Sequence, residues 1–100
     1  MIVRKAKRDD AERLDFLSNP HEKDLFSEHA GRGEAIVACL DDRIAGVLCY
    51  DVVDDKVEVI MLRIRPELYG QGIASLLLNE LRGIAKGLGA KIMTFRKGMR

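Results

Sequence analysis

The sequence predicts an α/β (α+β) domain: a mixed, mostly antiparallel sheet of about five strands with two to three helices. Three observations carry this. Three β-like runs between Glu34 and Ile64 are separated only by short acidic turns, as in an antiparallel meander. One stretch after Gly72 has the three-and-four apolar spacing of a helix half sunk in a core. The chain has 100 residues, 47% hydrophobic and 33% charged, which suits one compact domain over residues 1–100.

The elements follow in order. Ile2 to Ala6 alternates roughly between apolar and basic residues and reads as a first strand. Asp9-Asp10-Ala11-Glu12 has the form of a capping box, with Asp9 as cap. Ala11, Leu14 and Leu17 fall on one face of the helix it would start, and Asn19-Pro20 is expected to end it. Leu25, Phe26 and Ala30 suit a short helix closed by Gly31 and Gly33. Glu34 to Leu40 and Ile44 to Val53 read as paired strands around a turn at Asp41–Arg43, and Lys56 to Ile64 as the third. Ile73, Leu76, Leu77, Leu81, Ile84, Ala85 and Leu88 mark the long helix, stopped by Gly87 and Gly89. Lys91 to Phe95 is the last strand and Arg96 to Arg100 a polar tail.

Composition excludes several classes. A net charge of +1, from 17 basic and 16 acidic side chains, argues against a dedicated nucleic-acid binder. No apolar run is long enough to span a bilayer, and the N-terminus lacks a signal-peptide core, so the expected compartment is the cytoplasm. In the predicted hairpin Cys39 falls near Ala45 or Gly46, and Cys49 near Ala35 or Ile36. Their sulfurs would lie about 10 Å or more apart, so two buried thiols are expected rather than a disulfide.

The stretch from Arg65 to Leu78 is the most informative. A strand feeds into Tyr69-Gly70-Gln71-Gly72-Ile73-Ala74-Ser75, and the long helix leaves it. Free N–H groups at a positive helix end hold phosphate. Glycines keep side chains out of the way, Ser75 adds a hydroxyl, and no carboxylate lies between Gly70 and Leu78. Composition alone leaves phosphate binding and a plain strand-to-helix turn level. A P-loop would need Lys-Ser/Thr where Ile73-Ala74 stands, and a dinucleotide fold would place its glycines early.

Ile64 to Leu77 resembles the acetyl-CoA signature of the GNAT superfamily of N-acetyltransferases, Arg/Gln-x-x-Gly-x-Gly/Ala after a strand and a proline loop. The element order agrees over the whole chain. The resemblance implies acetyl-CoA as cosubstrate, with Tyr69, Gly70, Gln71, Gly72, Ile73, Ala74 and Ser75 around its pyrophosphate. It implies that Leu62, Arg63 and Ile64 pair with the pantetheine arm, in a V-shaped gap beside Lys91 to Phe95. Two departures stand out. Tyr69 replaces the usual Arg or Gln, and the sequence stops where family members usually add a helix and two strands. An unpaired last strand leads to the expectation of a homodimer.

Direct acetyl transfer to an amine needs a base for the amine's proton. Glu58 is the candidate. It is the only carboxylate within Val57 to Ile64, and strand alternation sets it on the face of Ile60, Leu62 and Ile64. Apolar neighbours would raise its pKa toward the useful range. It lies six residues before Ile64, a spacing similar to that of the strand glutamate that some GNAT enzymes use as base; an outward, solvated glutamate is the other reading. His21 and His29 read as surface residues, and with no Cys or third His near them no metal site is expected. Glu22, Asp24 and Glu28 form a solvated face that could attract a cationic amine. Tyr50, Phe16, Phe26 and Phe95 read as packing residues, while Arg63, Arg65, Arg82 and Lys86 could reach phosphate. The resulting reading is an N-acetyltransferase acting on an amine acceptor; a coenzyme A-binding module without catalysis is the alternative.

Overall fold

In a computed structural model of the chain, which describes residues 1–90 and 92–95, the meander forms as its pattern dictates. β2 (Ala35–Leu40), β3 (Arg43–Val53) and β4 (Lys56–Ile64) make two consecutive antiparallel hairpins. The turns are Asp41-Asp42 and Asp54-Asp55, whose first residues have φ of 55° and 56°. Aspartate tolerates this left-handed conformation better than branched residues do. β1 (Ile2–Lys5) joins β2 antiparallel, and β5 (Ile92–Phe95) joins β4 parallel, so the order is β1-β2-β3-β4-β5. Lys91 and the expected tail at Arg96–Arg100 lie outside the described residues.

The parallel step requires a crossover, and α2 (Ile73–Gly87) makes it. It buries Ile73, Leu77, Leu81 and Ala85 against Ile36, Ala38, Leu48, Tyr50, Val57 and Val59. Each large aliphatic side chain buried there contributes about 1.5–3 kcal/mol. A Cβ on Gly46 of β3 would stand 2.8 Å from Ile64 Cδ1 and 3.0 Å from Ile73 Cγ2, so glycine lets the helix start close to the sheet. The predicted stripe was too wide. Leu76 and Leu88 are exposed, because one helix on a flat sheet buries only a narrow strip.

α1 (Pro20–Gly31) and a 3-10 turn (Arg8–Arg13) cover the other face. Leu14, Leu17, Phe26 and Ala30 pack there on Val37, Ile44, Val47, Cys49, Ile60 and Met61. Two expectations are corrected here. Asp9 does not cap an α-helix. Asp10 is the working carboxylate, accepting from Arg4 through both oxygens at 2.9 Å and from Lys7 N–H at 2.8 Å, which pins a tight turn to β1. Asn19-Pro20 does not end a helix but opens α1. The Asn19 side chain accepts from His21 N–H at 2.9 Å, and proline lacks only an N–H that the first helical position leaves unpaired.

Two bulges alter the register. Between Ala38 and Cys39 the pairing shifts, so Cys39 faces Ile44 rather than Ala45 or Gly46, while Cys49 faces Ala35. Both thiols are free and buried, and burial pushes Cys49 up to about 12, with the Asp51 charge adding to it. In β4, Cys49 faces Met61 and Tyr50 faces Val59, so Ile60 bulges out of the ladder. Phe95 was expected in the core but is 52% exposed on β5.

Candidate functional site

The site begins where β4 runs into α2. Gly70 and Gly72 adopt φ of 82° and 79°, a conformation that glycine reaches without strain. Space is open beside both: apart from the chain neighbours, no heavy atom of the described residues lies within 4 Å of a Cβ placed there. Gly72 caps α2 without a side-chain bond, and its carbonyl accepts from Leu76 N–H at 3.1 Å. Among the described residues no backbone carbonyl accepts from the N–H groups of Gly72, Ile73, Ala74 or Ser75. These are the orphan donors of a 15-residue helix, with no acidic side chain in the first turn. Tyr69, Gly70, Gln71, Gly72 and Ser75 are exposed and Ala74 is half-buried, while Ile73 points into the core. The turn is therefore an electropositive hollow formed by backbone.

The edge of β4 continues it. Arg65 N–H donates to Ala45 carbonyl at 2.8 Å, so by antiparallel alternation Arg63 and Met61 also bond to β3. The backbone groups of Leu62 and Ile64 then point away from β3, toward the β5 side. β5 pairs only with Lys56 to Val59, so among the described residues this stretch of edge carries no strand. Arg63 does not offer its backbone there as the resemblance implied. Instead its Nη1 donates to Leu62 carbonyl at 2.9 Å and its Nη2 bonds to Glu22.

Glu58 is half-buried and sits opposite Asp51. Its expected face is corrected by the Ile60 bulge. Val57, Val59, Leu62 and Ile64 pack toward α2, whereas Ile60 and Met61 both pack toward α1. Glu58 thus shares the α1 face with Ile60 and Met61, opposite Leu62 and Ile64. Simple alternation missed this because a bulge adds a residue without any sequence mark.

The other polar candidates divide. Arg65 is buried; its Nε donates to Ile44 carbonyl at 3.0 Å, Nη2 meets Asp15 at 2.9 Å, and its guanidinium stacks 4.7 Å from the centre of Phe16. It is committed to the fold, not to phosphate. Arg82 donates to Asn79 at 2.6 Å. Tyr50 is buried, donating to Gly33 carbonyl at 3.2 Å, as a packing residue should. His21 is exposed, but His29 is not a surface residue: it is buried 2.7 Å from Asp51 Oδ1. A lone polar position on a helix gives no sign of such a partner 22 residues away.

A family model described as the acetyltransferase (GNAT) family matches residues 3–97. No curated protein matches the chain. Among solved structures it is similar to PaiA N-acetyltransferase from Thermoplasma acidophilum in complex with coenzyme A, at TM-score 0.75 and 19% identity, covering 89% of this chain and 74% of that one. A GNAT family acetyltransferase from Brucella melitensis in complex with acetyl-CoA superposes at TM-score 0.75 and 18% identity, covering 94% and 73%. A polyamine N-acetyltransferase from Drosophila melanogaster gives TM-score 0.78 and 14% identity, covering 94% and 74%.

Proposed function

The chain belongs to the GNAT acetyltransferase family, and from that premise we propose that its 100 residues act as one domain that transfers acetyl from acetyl-CoA directly to a primary amine. The observation that carries this is the set of N–H donors at Gly72 to Ser75 that no backbone carbonyl among the described residues meets, next to the edge of β4 that no described strand covers. The pyrophosphate binds Tyr69 to Ser75, and the pantetheine amides pair with Leu62 and Ile64, displacing Arg63 Nη1 from the Leu62 carbonyl. Relatives of the same fold were crystallised with coenzyme A or acetyl-CoA, which supports this placement.

In the reaction the amine nitrogen attacks the thioester carbonyl. The C–N bond forms, the C–S bond breaks, Glu58 takes the amine proton, and the thiolate leaves to be protonated from water. Glu58 lies on the α1 face, one residue before the last described pair of β4 with β5, and in this reading it serves the acceptor side. Holding both reactants in place supplies much of the rate. No described helix is long and apolar enough to cross a membrane; the proposal is a cytoplasmic homodimer, joined through β5, where Phe95 is exposed, or through α2 beside it, where Leu76 is exposed. Sedimentation at micromolar concentration tests the dimer, with a one-chain mass counting against it.

The central experiment pairs a thermal-shift titration of acetyl-CoA with turnover over a panel of amines. A raised melting temperature and release of free coenzyme A with at least one amine are expected. A shift without turnover for any amine would favour a binding module, and no shift would remove the reading.

A further inference from the structure

We propose that His29, Glu34 and Asp51 form a binding site for a divalent transition-metal ion with the preferences of zinc. The three side chains come from α1, from the residue before β2 and from β3. They bring one ligand atom each to within 4.8 Å of one another. A tetrahedral ion with bonds of about 2.0–2.2 Å needs its ligands roughly 3.5 Å apart, so only a small closure is required.

The histidine is already prepared as a ligand. Its side chain is 4% exposed, and Nδ1 lies 2.9 Å from the Leu25 carbonyl. A carbonyl only accepts, so Nδ1 carries the proton and Nε2 keeps a lone pair aimed into the cluster. In that tautomer the lone pair meets Asp51 Oδ1 at 2.7 Å, acceptor against acceptor, a clash relieved by a second ring proton or by a cation that both atoms share. Arg32 supplies one in part, with Nη2 2.8 Å from Nε2 and 3.3 Å from Asp51, and Nε 3.2 Å from Glu34.

Protonating Nε2 would satisfy Asp51 but set its N–H against the Arg32 N–H. Neither protonation state satisfies all three contacts, whereas a metal ion accepts lone pairs from His29, Glu34 and Asp51 together. Arg32 is 48% exposed and can leave toward Glu28, which its Nη1 already approaches at 3.4 Å. An open hollow of about 520 Å³ borders the cluster and admits both the ion and a water as fourth ligand.

One nitrogen and two carboxylates suit zinc or cobalt better than magnesium or calcium, which prefer oxygen alone. The site lies away from the cofactor turn. Asp51 faces Glu58, six residues and about 20 Å of strand before Ile64, at the far end of β4 from the Tyr69–Ser75 turn. It would tie the end of α1 to β3, and it stands whether or not the chain transfers acetyl groups. The absence of a nearby Cys or third His was no guide, since the ligands converge from separate elements.

The test is calorimetric titration of the full chain, cleared of metal with chelator, with zinc chloride, and with cobalt read by its visible absorption. One ion per chain is expected, with a raised melting temperature. Glu34→Gln and Asp51→Asn should lose binding, Arg32→Ala should bind at least as tightly as the parent, and His21→Ala should be unchanged. Zinc bound by neither the parent nor Arg32→Ala would overturn the proposal. So would binding that persists undiminished in Glu34→Gln.

Discussion

The α2 face and the α1 face of one sheet are built from different materials. Against α2, the contacts are apolar, and the candidate hollow beyond them is made of glycine conformations and helix N–H groups. Against α1, an apolar centre is ringed by polar contacts: the ion pairs of Arg4 with Asp10, Arg65 with Asp15 and Arg63 with Glu22, and the His29 ring beside Asp51. The difference follows from what each face is proposed to handle. A pyrophosphate needs donors that any backbone provides, whereas an amine and its proton need side chains placed one by one. On that proposal the α2 side should tolerate changes of side chain that the α1 side does not.

The sharpest way to break this comparison is Glu58→Gln. Loss of a general base should lower turnover roughly 10²- to 10⁴-fold while the acetyl-CoA thermal shift stays unchanged. An unchanged rate would remove Glu58 from the chemistry. Next comes the apolar side: Leu81→Ala should cost about 2–5 kcal/mol in urea unfolding, through lost burial and the cavity left behind.

Asp10→Asn should cost about 2 kcal/mol at neutral pH, because it removes charge-assisted bonds from a buried group. The Arg4 guanidinium bonds and the Lys7 N–H hold the Asp10 carboxyl below its ordinary value of 3.8. A depressed carboxyl stabilises the fold above its unfolded pKa and loses that contribution as pH falls through the folded one. The gap between parent and Asp10→Asn melting temperatures should thus be full at neutral pH and close below about pH 4. A gap that stays constant would contradict the pairing.

The smallest effect on stability is Gly72→Ala. Its Cβ meets nothing, but the left-handed φ should cost about 1–2 kcal/mol. Gly72→Glu adds a charge facing the hollow and should abolish the acetyl-CoA shift. Equal binding by both variants would mean that the ligand lies elsewhere.

Legibility in the sequence follows the same division. The three meander strands and α2 are visible because periodicity is local, and β4 runs over Lys56–Ile64 as read. The glycine turn is visible because a left-handed backbone leaves a residue-type signature. Pro20 was misread because the same residue can end one helix and suits the start of another. The facing of Glu58 was misread because the bulge at Ile60 depends on pairing with β3. The burial of His29 and the commitment of Arg65 to Asp15 and Phe16 join residues distant in sequence, which no periodicity records.

The most direct test of the cofactor hollow is an amide nitrogen–proton spectrum of the labelled protein titrated with coenzyme A. The N–H signals of Gly70, Gly72, Ile73, Ala74 and Ser75 should move together and saturate, with Leu62 and Ile64 following on the strand edge. If those signals stay fixed while the ligand binds, the helix start does not hold the pyrophosphate.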